Sequence, residues 1–445
     1  MDIIQKIFEA GVVGCGGAGF PTHVKLNSKV DTFIINGVEC EPLLRTDRFI
    51  MLHRTADLLK AIELVAGYLE AKRIVIVLKK SYQKEAETLQ KALNAGAMKI
   101  ELFLVDNFYP AGDEQTIVCE VTGRVVPPGG IPLEVDAVVS NVGTMVCVSD
   151  AIEDRSFTHK YITVSGEVAD PVIAHVPVGT TIAECVSLAG ATGDYRVVVG
   201  GPLMGKVVSR ELAETMPIIK TTSGIIVLKS NAYLVNQAEI SVPQMVNRAR
   251  AACIQCSFCT QLCPRYLLGH SLQPHRIMRK LAYHGLCPAI IDDDDVKQAL
   301  ICCECGICTQ FACPMLLQPD RVNSLLKKKY ASAGIRYEKK DENPKVRPDR
   351  EYRKVPTKRL AARVGVLRYY DHDVGKLVEH TPKRTILPLT QHIGVPSEPI
   401  VALNEQVGCG QIVAKCPPEK LGANIHSGID GYVSAVTDNC IIIEG

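Results

Sequence analysis

Apolar positions follow a changing rhythm along this chain of 445 residues. Ile3, Ile4, Ile7 and Phe8 recur at helical spacing, which predicts a helix over residues 2–10. Short β-branched runs at 32–36, 74–78 and 100–105 then alternate with helix-period stretches such as 81–94. That alternation predicts an α/β sheet domain, with residues 74–105 forming one βαβ unit. From 158 to 228 the pattern changes to short strands between Gly and Pro, at 161–166 and 195–201, with one helix at 181–189. Residues 242–329 read as helical, and from 386 onward short strands return, with turn signals at Gly408, Gly410, Gly428 and Gly431. Residues 336–360 are dense in Lys, Arg, Asp, Glu and Pro, which predicts a solvated linker, with a docking surface as the alternative. The apolar runs at 73–78 and 137–148 fall short of the ~20 residues that span a bilayer, so no direct membrane span is expected.

Cysteine spacing changes this picture most. Cys253, Cys256, Cys259 and Cys263 form one run that ends in Cys-Pro, and Cys302, Cys305, Cys308 and Cys313 form a second. Three thiolates at every third position let one turning backbone face a single iron–sulfur cluster, while the distant fourth Cys commonly ligates the other cluster. This predicts two 4Fe–4S clusters, one on Cys253, Cys256, Cys259 and Cys313, the other on Cys302, Cys305, Cys308 and Cys263. Zinc ribbons would need paired C-x2-C motifs without the third Cys three residues on. Cys303 stands beside Cys302, and spacing favours Cys302 as the ligand.

Charge and composition then narrow the class. With 50 basic and 48 acidic residues the net charge is +2, so nothing points to nucleic acid or an anionic membrane. The chain has 18 Cys, and those outside the runs lack framework spacing, which favours a reducing cytoplasm over secretion. The first residues show no signal-peptide pattern.

Gly14-Cys15-Gly16-Gly17-Ala18-Gly19 fits G-x-G-x-x-G, and Glu39 lies twenty residues beyond Gly19. The dinucleotide fingerprint needs a strand before that loop, whereas a helix is predicted there, so that reading is set aside. Consecutive glycines still allow backbone N–H groups to approach an anion, and Lys25 adds a charge; a plain tight turn is the alternative.

Gly16 to Thr22 followed by Lys25 resembles the flavin loop of the NADH-oxidising subunit of respiratory complex I, and more closely that of RnfC proteins. Asn36 to Pro42 with Asp47-Arg48, Tyr109 to Glu114, and Asn141 to Thr144 are similar to further flavin-site segments of those proteins, in the same order. The resemblance implies FMN, with its phosphate on Gly14, Gly16, Gly17, Gly19 and Lys25, and with Asn36, Asn141 and Thr144 contacting the flavin. It implies NADH as electron donor, with Phe20 stacking on nicotinamide, Glu39 and Glu114 accepting its hydrogen bonds, and Gly112 and Glu41 lining the site. Val38 stands where complex I has an acidic flavin contact, so that contact is absent. Core packing for Phe20 and helix capping for Glu41 are the plain alternatives.

The resemblance extends along nearly the whole chain and implies a multidomain α/β protein. Its parts are a Rossmann-like flavin domain (1–155), an SLBB β-grasp domain (156–235), an α-helical dicluster ferredoxin domain (236–332), a charged linker (333–384) and an all-β barrel-sandwich domain (385–445). The barrel-sandwich domain comes first in RnfC proteins and last here, an order that resembles PduS-type cobalamin reductases of propanediol-utilising bacterial microcompartments. Cobalamin, or a corrin-bound adenosyltransferase, is then the expected partner, with shell or enzyme proteins of a microcompartment beside it and a cytoplasmic location within or at that compartment. An RnfC-like NADH module of a membrane complex and a non-catalytic relay are the alternatives. Lys420 precedes Gly431 at nearly the spacing of a biotinyl or lipoyl carrier but lacks the carrier flanks, and His392 and His426 read as structural rather than as cobalt ligands.

Overall fold

The computed structural model describes residues 2–96, 98–339 and 343–445. The first domain is built on a parallel four-stranded sheet in the order Glu101–Val105, Arg73–Lys79, Thr32–Asn36, Ala137–Asn141. Both faces are covered, which explains why its strands are apolar without alternation. Phe33 and Ile35 point into a core with the helices Thr55–Leu69 and Val142–Ile152, while Ile34, Val75 and Val139 point into a second core with the helix Glu114–Thr122. The apolar stretch 137–148 divides at Asn141, whose side chain accepts a hydrogen bond from Gly143 N and so caps the following helix.

The second domain is a six-stranded sheet, ordered Leu377–Glu379, Val172–Pro177, His159–Gly166, Gly224–Lys229, Tyr195–Val199, Lys206–Val208. The helix Ile182–Leu188 packs on it and begins with a reciprocal Thr181/Glu184 capping box. The cysteine-rich domain has helices Val242–Ala252, Pro274–His284 and Pro319–Ser332 around Met245, Ile277, Leu281, Val322 and Leu326. In the tail, a four-stranded and a three-stranded sheet share a core of Leu387, Val413, Ile425, Val433 and Ile441.

The charged stretch is not the solvated linker that its composition predicts. Lys340 to Glu342 lie outside the described residues, but the remainder folds as a strap over the first two domains. Val355–Pro356 pairs with Phe108–Tyr109, the helix Thr357–Arg363 buries Leu360 and Ala361, and Leu377–Glu379 extends the second sheet. Val355, Leu360, Ala361 and Val364 point inward from this stretch, and Arg350 and Lys354 both pair with Glu120, which satisfies their charge against the first domain.

Candidate functional site

A cleft of about 1100 Å³ opens between the first two domains. That is at the upper end of the roughly 300–1,000 Å³ of most small-molecule sites. Every residue expected at the flavin site, from Gly14 to Thr144, lines it. The glycine loop is closed by Gly14 N donating to Phe20 O at 3.0 Å. A Cβ at Gly16 would lie 2.9 Å from the Asn141 side chain, and Gly19 has φ +75°, whereas a Cβ at Gly17 would meet nothing within 4 Å. Bare backbone thus faces open cleft at Gly17, a cradle of the kind that receives a phosphate. The fit to FMN therefore rests on this cradle and the cleft volume.

The polar residues of the cleft hold one another in place. Asn36 donates to Gly112 O and accepts from Val38 N, both at 2.9 Å. Asn141 donates to Asp47 Oδ2 at 2.7 Å, and Thr144 Oγ1 accepts from Cys15 N at 2.9 Å. Glu39 is buried and accepts from Asp47 N at 3.1 Å; burial and the adjacent Asp47 charge push its carboxyl well up. Burial likewise raises Asp47 to about 6, against the hydrogen bond from Asn141. Lys25 and Glu114 form an ion pair at 2.5 Å, and Phe20 is 36 % exposed at the cleft.

Glu41 does not cap a helix. Its two oxygens accept from Leu203 N at 2.9 Å and Met204 N at 2.8 Å, tying the first domain to the Gly-rich turn of the second. Burial, only partly opposed by these donors, pushes its carboxyl up to about 7. Gly201 is required by this contact, since a Cβ there would come within 2.3 Å of the Glu41 carboxyl group.

The cysteines gather into two groups. Cys253, Cys256, Cys259 and Cys313 surround one hollow, the combination expected from the crossed fourth ligand. This hollow lies at the surface and is lined by exposed Ile254 and Met315. Cys263 is buried within electrostatic reach of Cys302 and Cys303, and Cys308 within reach of Cys302 and Cys263. Cys303 and Cys305 also line the flavin cleft, and Tyr109, in the cleft loop, donates to Cys305 O at 2.8 Å. Arg265, just after Cys263-Pro264, forms two hydrogen bonds of 2.6 and 2.8 Å with Asp113, which caps the cleft helix Glu114–Thr122.

Several of these contacts escape sequence reasoning. Asp113 stands within the flavin-site segment Tyr109 to Glu114, but its partner Arg265 carries no local signal, and neither does the Leu203 and Met204 backbone that binds Glu41. In the tail, His392 Nε2 accepts from Ala423 N at 2.9 Å and His426 is 2 % exposed, so both are engaged in packing that domain.

The Nuo51 FMN-binding domain family matches residues 7–150, the 4Fe–4S dicluster domain family residues 252–318, and the RnfC barrel sandwich hybrid domain family residues 373–444. The chain is 38 % identical over 452 aligned positions to cobalamin reductase PduS of Salmonella typhimurium, covering 99 % of this chain and 96 % of that protein. The chain belongs to the cobalamin reductase PduS family. PduS of Citrobacter freundii is 36 % identical with the same coverage. A component of the proton-translocating ferredoxin:NAD(+) oxidoreductase complex of Clostridium ljungdahlii is 34 % identical, over 60 % of this chain and 56 % of that protein. An NAD+-reducing NiFe hydrogenase in its H2-reduced state aligns with a TM-score of 0.47 at 21 % identity, covering 76 % of this chain and 62 % of that one. The PduS relatives align along the full domain order of this chain, whereas the Clostridium ljungdahlii match ends short of it. FMN and 4Fe–4S clusters are thus the redox groups of this fold, consistent with the cleft and the two cysteine groups.

Proposed function

We propose that this protein is an NADH-dependent cobalamin reductase. The observation that carries this reading is the shared cleft: the flavin-loop residues and Cys303 and Cys305 line one cavity. When bound, FMN takes two electrons from NADH as hydride and 4Fe–4S clusters pass electrons singly, which suits a corrin cobalt that accepts one at a time. The Gly14–Gly19 backbone would hold the flavin phosphate, Asn36 and Asn141 would orient the ring system, and Phe20 with Glu114 would receive the nicotinamide. Cys302, Cys305, Cys308 and Cys263 would hold the cluster nearer the cleft, which Cys305 lines. Cys253, Cys256, Cys259 and Cys313 would hold the outer one, beside the exposed side chains of Ile254 and Met315 where an acceptor could dock. The buried thiols give up protons when iron binds, as burial holds Cys259 up at about 12 without it.

The corrin arrives as free cobalamin or on an adenosyltransferase, and the protein works within or at a microcompartment. Among the described residues no helix is long and apolar enough to cross a membrane. An anaerobic acceptor screen tests the reading: NADH-driven reduction of cobalamin supports it, while ready reduction of ferredoxin or flavodoxin with none of corrin refutes it. Co-fractionation with shell proteins tests the location.

A further inference from the structure

Among the described residues, the charges around the cleft leave one cation with no hydrogen-bonded partner. Arg54 and Arg155 both pair with Asp150, Lys25 pairs with Glu114, and Arg45 donates to Leu44 O and Tyr370 O. Lys220, fully buried where three domains meet, donates to Gly11 O and Asn424 O at 2.7 Å each. Lys160, at the start of the β-grasp strand His159–Gly166, is 7 % exposed and lines the cleft. Among the described residues no carboxylate or carbonyl accepts a hydrogen bond from its ammonium.

A lysine that lines a cleft without an internal hydrogen-bond partner is available to an anionic ligand. Its position says what would pair with it. Its charge acts on the thiols of Cys15, in the glycine loop, and Cys147, on the helix Val142–Ile152, and on the Asp47 carboxyl. Lys160 thus lines the same cleft as Gly17, whose bare backbone faces open space. An anion in that cradle would meet backbone N–H groups within a cleft that this cation also lines.

The geometry points to Lys160 as the residue that binds the phosphate of FMN, so that the β-grasp domain, and not the flavin domain alone, completes the cofactor site. This inference rests on the assignment of the cleft to flavin. The Glu41 tie fits this assignment, because Glu41 fixes the β-grasp domain, which carries Lys160, to the flavin domain at Leu203 and Met204.

The test compares FMN with riboflavin, which lacks the phosphate, on deflavinated full-length protein, by flavin fluorescence titration. Lys160→Met is expected to weaken FMN at least about tenfold, ~1.4 kcal/mol, and riboflavin less than about twofold. Lys160→Arg, whose guanidinium also binds phosphate, is expected to restore FMN binding. Equal losses for both flavins, or an unchanged FMN affinity, overturn the assignment, the first marking a packing role and the second an internal partner such as Asp47. A second measurement needs no variant. Acylation of lysines in wild-type protein, read by mass spectrometry, is expected to show Lys160 protected by FMN and not by riboflavin; equal protection by both, or by neither, overturns the assignment. Wild-type protein that binds neither flavin overturns the flavin site itself, and Lys160's role with it.

Discussion

Replacing Arg265 by Leu removes one ion pair between the cysteine-rich domain and the flavin domain. Its side chain is 9 % exposed and that of Asp113 is 14 % exposed, and they share a bidentate contact. Removing the guanidinium leaves a buried carboxylate uncompensated, a loss of about 3–5 kcal/mol. Asp113 also accepts from Thr116 N at 3.0 Å, a cap worth about 1 kcal/mol. The double variant R265L/D113L therefore loses the cap but has no orphan charge, and is expected to be more stable than R265L alone. Burial by itself would raise the Asp113 carboxyl, but the Arg265 charge and the Thr116 bonds outweigh it and hold it below the usual carboxylate range. A depressed carboxyl contributes stability above its unfolded value of about 3.9, and this is lost as pH falls through the depressed one. Wild-type protein should show that acid-side loss and R265L should not. The assay is thermal unfolding of the holoprotein across pH, followed by far-UV circular dichroism and by cluster absorbance. Losses in R265L and D113L that simply add in the double variant would refute the reasoning.

The remaining predictions concern single contacts. Glu41, raised to about 7, is protonated in the folded protein at pH values where the unfolded chain has already ionised, so stability should fall as pH rises from the usual 4.5 toward 7. In Glu41→Gln that slope should vanish in thermal unfolding, and its amide NH2 should face one of the two N–H donors, costing about 1–3 kcal/mol. Gly112→Ala, whose Cβ would lie 2.3 Å from Val38 O, should lose flavin content before cluster content, read by released flavin and by iron assay. Cys302→Ser should lose about half the iron and Cys303→Ser little, measured on anaerobically reconstituted protein; the reverse order would give the ligand role to Cys303.

What sequence could reveal divides by distance along the chain. The strand Thr32–Asn36 lies where β-branched residues predicted it, and the helix Ile182–Leu188 lies within the predicted 181–189, because local propensity and the Thr181 cap carry both. The helix before the glycine loop, Ile3–Glu9, also follows its periodicity and justifies setting the dinucleotide fingerprint aside. The strap was illegible because its apolar residues are sparse and pair with partners far away, such as Val355 opposite Tyr109. The same holds within the site. Glu41 and Leu203 lie 162 positions apart, and Tyr109 and Cys305 lie 196 apart, so no local pattern announces either contact. Lys160 gave no signal at all, since a lone lysine at a strand start becomes notable only when its burial is seen.

The most direct test is anaerobic rapid mixing of the FMN- and cluster-loaded protein with NADH and excess oxidised cobalamin, recorded by visible absorption. The account predicts that flavin absorbance bleaches first, cluster absorbance then falls, and the corrin spectrum shifts to its reduced form over repeated turnovers. Bleached flavin and reduced clusters with an unchanged corrin spectrum would contradict it.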